Sequence, residues 1–137
     1  MPGNTSPIFS KVAHVEWVNG ITAANTAKDG TGTVETVFTA DATNGSYLQK
    51  LLVRPRGTNV SSVLRVFLNN GSSNATAANN ALIGEIGLAA TTNSEVAAIA
   101  GNELAMNIPV PPGYCIMVAL GTAVAGGYVV TAMGGDY

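Results

Sequence analysis

Residues 103–120 read ELAMNIPVPPGYCIMVAL, two apolar runs of period two joined by Pro111, Pro112 and Gly113. In the first, Leu104, Met106, Ile108 and Val110 share one parity, with Glu103, Ala105, Asn107 and Pro109 on the other. Successive side chains of a strand point to opposite faces, so this alternation is what a strand with one buried face requires. In the second, Tyr114, Ile116, Val118 and Leu120 share a face, leaving Cys115 on the other beside Met117. The prolines fix the backbone and the glycine frees it, which suits a tight reversal, so the two runs are expected to pair as an antiparallel hairpin. Cys115, the only cysteine, is then expected to face a second packed layer or a neighbouring subunit.

Working outward, the same pattern recurs with different punctuation. SSVLRVFLNNG (61–71) sets Leu64, Val66 and Leu68 against Val63, Arg65 and Phe67, and stops at Asn-Asn-Gly. NALIGEIGL (80–88) places Leu82, Ile86 and Leu88 inward and Glu85 outward, with Gly84 and Gly87 marking a bulge or a close neighbour. SYLQKLLVRPRG (46–57) sets Leu51 and Val53 against Lys50 and Arg54. TVETVFTAD (33–41) is β-branched and aromatic, though its inward parity is not evident. GYVVTAMGG (127–135) is a last strand, and Val12 to Val18 a first. About eight short strands separated by Gly, Asn and Pro indicate an all-β, antiparallel β-sandwich, jelly-roll-like. The Ala-rich stretches NGITAANTAK and SEVAAIAGNE hold no sustained helical period and are expected to be loops, with one short helix at most. MPGNTSP has no periodicity and reads as an extended N-terminal arm. The chain therefore divides into residues 1–30, comprising arm, first strand and connection, and a β-sandwich core over residues 31–137.

Composition narrows the function. Only 10% of the 137 residues are charged while 47% are hydrophobic, against a usual charged share of about 25%. A surface so poor in charge is expected to be covered by partners or by copies of the chain. A net charge of -2 offers no positive field for phosphates, so nucleic-acid binding is not expected. Lys50, Arg54, Arg56 and Arg65 are read as solvent-facing strand positions that discourage wrong pairing. No apolar run is long enough for a membrane helix, and the N-terminal residues lack the pattern of a secretory signal. Synthesis in a cytoplasm is expected.

Catalytic chemistry is scarce. The one imidazole, His14, and the one thiol, Cys115, carry no local signature of a nucleophile and its base. One Cys and one His a hundred residues apart are not a zinc cluster, and no Asp-x-Asp-x-Asp spacing suits calcium. No two of the eight acids stand out as a glycosidase pair, and KDGTGT and GTAVAGG lack the strand–loop–helix context of a phosphate loop. The expectation is a protein that is not an enzyme and uses no cofactor. Trp17 is expected to anchor its strand to the core or to a neighbouring subunit.

YLQKLLVRPRGTNVSSVLRVFLNNG, ALIGEIGL, NIPVPPGYCIMVALGT and the terminal GGYVVTAMGGDY resemble small structural proteins of tailed-bacteriophage virion gene clusters, in which strands end in a Pro-Gly-Tyr hairpin, an LGT turn and a short GGDY tail. The resemblance implies a capsid decoration, or cement, protein. Such a protein is a small β-sandwich, commonly a trimer, that sits on the outer surface of the virion and bridges major capsid proteins. Contacts with the capsid or another subunit are expected at Pro7, Ile8, Phe9 and Lys11, an apolar pair in a polar arm, and at Trp17. The competing expectation is a trimeric tail-fibre or receptor-binding tip domain that recognises a host glycan.

Overall fold

The computed structural model describes residues 10–137; Pro7, Ile8 and Phe9, three of the expected contact residues, lie outside the described residues. Eight strands run in the order β1 (Val12–Ile21), β2 (Glu35–Thr39), β3 (Ser46–Pro55), β4 (Ser62–Asn69), β5 (Asn80–Leu88), β6 (Asn102–Val110), β7 (Cys115–Leu120) and β8 (Tyr128–Asp136). They form two four-stranded sheets, β1-β8-β3-β6 and β2-β7-β4-β5, with every paired neighbour antiparallel. The chain changes sheet at every connection except β4 to β5. That order is a jelly roll: two sheets facing each other across one core. The one helical element among the described residues is a 3-10 turn over Ala77–Asn79.

The strands around the Pro-Pro-Gly turn are as expected, but their pairing is not. β6 pairs with β3 in one sheet, whereas β7 pairs with β2 and β4 in the other. The turn, closed by Tyr114 N–H donating to Pro111 O at 3.0 Å with Gly113 at φ 76°, carries the chain across the sandwich. Alternation reveals which face of a strand is buried and not which neighbour it bonds. Two strands with apolar inward faces satisfy the same pattern by facing each other across a core.

That core holds Leu48, Leu51 and Val53 of β3, Leu64 and Val66 of β4, Ile116, Val118 and Leu120 of β7, and Tyr128, Val130 and Ala132 of β8, all essentially buried. Bulges reset the parity within several strands. In β2 the register shifts between Thr36 and Phe38, so the adjacent residues Val37 and Phe38 are both buried. In β5 the shift falls at Ile83, so Leu82, expected inward, lies opposite Phe67 and is 45% exposed. The inward position passes instead to Gly84, where a Cβ would come within 3.3 Å of Leu104 Cδ2. In β6 the bulge spans Met106 and Asn107; Asn107 has φ 50°, a left-handed conformation that asparagine tolerates better than most residues.

A second, smaller cluster sits on the outside of the β2-β7-β4-β5 sheet, where Phe67, Met117 and Ala119 are buried with Val34 and Cys115 packed against them. Asparagine side chains knit the adjoining loops over it. Asn25 Nδ2 donates to Thr31 O and Thr33 O, Asn74 Nδ2 to Gly30 O and Gly32 O, and Asn80 Nδ2 to Asp29 O and Asn74 O. Loop carbonyls that no strand can pair are thereby satisfied.

Candidate functional site

β1 is an edge strand of its sheet, and its two faces differ in chemistry. His14, Glu16 and Val18 point toward the core and are half-buried; Ala13, Val15, Trp17 and Asn19 point outward and are exposed. Register places Val15 opposite Met133 and Trp17 opposite Thr131 on β8, and beyond them Lys50 and Leu52 on β3. Trp17 is 65% exposed and Val15 45%, beside the half-buried Met133, Thr131 and Leu52. The result is an outward apolar row at one edge of the sandwich, with an indole near its centre. Trp17 therefore does not anchor β1 to the core; of the two roles expected for it, the outward one is the one its exposure fits. Lys11 lies at the foot of the same strand, its backbone N–H donating to Asp136 O at 2.6 Å and its side chain exposed.

The inward face of β1 carries a cluster of ionisable side chains. His14 Nδ1 lies 2.6 Å from Asp136 Oδ1 and Nε2 3.1 Å from Glu16 Oε2. Its ring packs on Phe38 of the opposite sheet, with centroids 4.3 Å apart. Glu16 Oε2 accepts the Thr39 N–H at 2.7 Å, and Ser46 donates its hydroxyl proton to Asp136 while accepting from Asp41 N–H at 2.9 Å. Burial alone would raise the Asp136 pKa, but the Ser46 and His14 hydrogen bonds and the His14 charge outweigh it and hold the carboxyl below its ordinary 3.8.

A serine, a histidine and an aspartate are present, yet the serine bonds the aspartate rather than the imidazole. The buried Ser46 hydroxyl donates to the Asp136 carboxylate and makes no contact with the imidazole, the serine–histidine contact on which a triad depends. The cluster fastens β1, β2, β3 and β8 to one another. His14 and Cys115 are likewise not partners: Cys115 lies on the outward face of β7, its thiol 3.6 Å from Asn69 Oδ1, and burial pushes its pKa up.

No family model matches the chain. No curated protein matches it either. Among solved structures, the chain is similar to a protein chain in the crystal structure of the T13 IBDV viral particle, at TM-score 0.31 and 13% identity over 98% of this chain and 36% of that one. This chain thus spans little more than a third of that chain's length.

Of the five expected contact residues, then, Lys11 and Trp17 fall on the same strand or at its foot. Alternation within HVEWVN already separates Val15 and Trp17 from His14, Glu16 and Val18, so the outward row was present in the sequence once β1 is known to be a strand. Met133, Thr131 and Leu52 were not foreseen as its neighbours, because nothing local to β1 names β8 and β3 as the strands beside it.

Proposed function

We propose that the chain is a structural virion protein that binds the outer surface of a phage capsid as a decoration, or cement, protein and stabilises the shell by bridging major capsid proteins. The observation that carries the reading is the outward row on β1, with Trp17 and Val15 exposed on a rigid sheet rather than on a loop. A flat apolar strip on a preformed scaffold costs little conformational entropy to dock, and tryptophan is over-represented among the residues that dominate such contacts. Each docked copy stabilises the assembled shell by mass action, since it binds that state and not the dissociated subunits. A trimer adds its contacts through high effective concentration, so a weak contact per copy suffices.

The test is co-sedimentation of the protein with expanded shells. Trp17→Ala is expected to weaken binding by about 30-fold or more, the effect of losing one dominant aromatic contact, while leaving the melting temperature of the free protein nearly unchanged. Binding undiminished by Trp17→Ala removes β1 as the contact face. The exposed indole also suits stacking on a sugar ring, which a receptor-binding tip would use. Binding to a glycan array abolished by Trp17→Ala, with a handful of copies per particle at the tail, would replace the cement reading with that one.

A further inference from the structure

The two sides of the sandwich are closed differently. Between β1 and β2, His14 stacks on Phe38 and Glu16 takes the Thr39 N–H, so the sheets are fastened. Between β5 and β6 they approach where Gly84 has no side chain to hold Leu104 off. Beside that approach lies an apolar groove of about 320 Å³ lined by Leu68, Ile83, Leu104, Met106, Ile108 and Pro109. None of these side chains is charged, and the nearby Glu85 and Glu103 are engaged by Arg65 and Lys50. Among the described residues β5 pairs with β4 alone and β6 with β3 alone, so each offers a free backbone edge to the groove.

We propose that this groove receives the Pro7–Phe9 segment of a second copy of the chain. Residues 1–9 carry no acidic or basic side chain and finish in Pro-Ile-Phe, which matches an uncharged apolar groove. An extended segment laid along β5 or β6 also finds the unpaired N–H and C=O groups of a sheet edge, the general basis of strand addition. The segment of the same copy is out of reach. Lys11 N–H is bonded to Asp136 O, and Ser10 lies over Gly135, on the face of β8 turned away from the core. β3 separates β8 from β6, a distance of about 10 Å across two strand spacings, and the groove lies beyond that, at the free edge of β6, between Leu104, Met106 and Ile108 and the Leu68 and Ile83 side chains of the opposite sheet. Two residues of fully extended chain reach no more than about 8 Å from Ser10, short of that groove. A segment given to the next copy and a groove filled by the previous one is a heterologous contact, which forms a ring when its rotation closes and in that case accommodates a trimer.

The experiment uses the full chain without any shell, so its outcome is independent of the shell-binding test. Sedimentation velocity is run on the wild type, on Ile8→Asp/Phe9→Asp and on Ile83→Glu, with circular dichroism confirming that each is folded. Self-association is expected to weaken at least about 100-fold in both variants, from exposure of apolar side chains that the contact buries. A second measurement does not depend on the variants folding equally well. Separately tagged copies bearing Phe9→Cys and Ile83→Cys, each in a Cys115→Ser background, are mixed and oxidised, and a disulfide between the two tags is expected. A monomeric wild type, unchanged association of Ile8→Asp/Phe9→Asp, or the absence of a disulfide between the two tags would overturn the proposal.

Discussion

Asp136 is the residue at which three strands converge. Its neighbours across the sheet are Val12 of β1 and Ser46 of β3, and its carboxylate takes hydrogen bonds from Ser46 and His14. Because the folded protein holds this carboxyl below its ordinary 3.8, the unfolded chain binds the proton more readily. The sign follows: the contribution is complete above the unfolded value and drains away as pH falls through 3.8 and below. Asp136→Asn should therefore lower stability at pH 7 by about 1–3 kcal/mol, the cost of removing a charged acceptor from buried donors, and the gap to wild type should narrow at pH 3. Urea unfolding at the two pH values measures both; a gap that widens in acid contradicts the assignment. Tyr128 makes the opposite case. Its hydroxyl is buried and makes no well-formed hydrogen bond among the described residues, since the adjacent Asn59 side chain is committed to Gly57 and Gly127; burial raises its pKa and the nearness of Asn59 offsets that only in part. Tyr128→Phe removes an unpaired polar atom and keeps the ring, so it is expected to leave stability unchanged or raise it by up to about 1 kcal/mol. A loss larger than that would mean the hydroxyl has a partner.

At the scale of elements, the strands were legible and their arrangement was not. All eight were visible as alternating or β-branched runs bounded by Gly, Pro or Asn, because a half-buried strand writes its exposure pattern into consecutive residues. Bulges in β2, β5 and β6 erased that record locally: Val37 and Phe38 are neighbours and both buried, while Leu82 exchanged places with Gly84. Sheet membership left no trace at all, as the Pro-Pro-Gly turn between β6 and β7 demonstrates. The His14–Asp136 contact joins residues 122 apart in sequence and was equally invisible, whereas Trp17 and Val15 could be placed on one face by counting. Sheet pairing also explains one residue that the sequence presents as an ordinary strand glycine. Gly134 sits on β8 between β1 and β3, and a Cβ there would run into the Tyr47 carbonyl oxygen of β3. That obstacle is backbone in the middle of a sheet and does not swing aside. Gly134→Ala is therefore expected to cost about 3 kcal/mol or more, at the upper end of what overpacking exacts, and thermal or urea melts will read it. A near-neutral result would place β8 further from β3 than this register allows.

For the whole molecule, the informative quantity is how little charge it uses. Among the described residues the acids make four contacts with basic side chains: His14 contacts Asp136 and Glu16 at the closed side of the sandwich, and the ion pairs Lys50–Glu103 and Arg65–Glu85 lie between adjacent strands. The outward row on β1 and the groove between β5 and β6 are both lined by uncharged side chains, apart from Lys50 at the margin of the former. Contacts made through such surfaces draw on apolar burial, which added salt does not screen, whereas exposed charges more than about 8–10 Å apart lose most of their interaction at 0.1–0.15 M ionic strength. Both self-association and shell binding should therefore change by less than about threefold between 50 and 500 mM sodium chloride, measured by sedimentation at constant pH. A steep fall with salt would move the contact to Lys11, Lys28, Arg54 and Arg56, the exposed basic residues outside the row. A shallow dependence together with loss of binding in Trp17→Ala would fix the shell contact on β1, because a charged surface cannot give the first result nor a surface elsewhere on the sandwich the second.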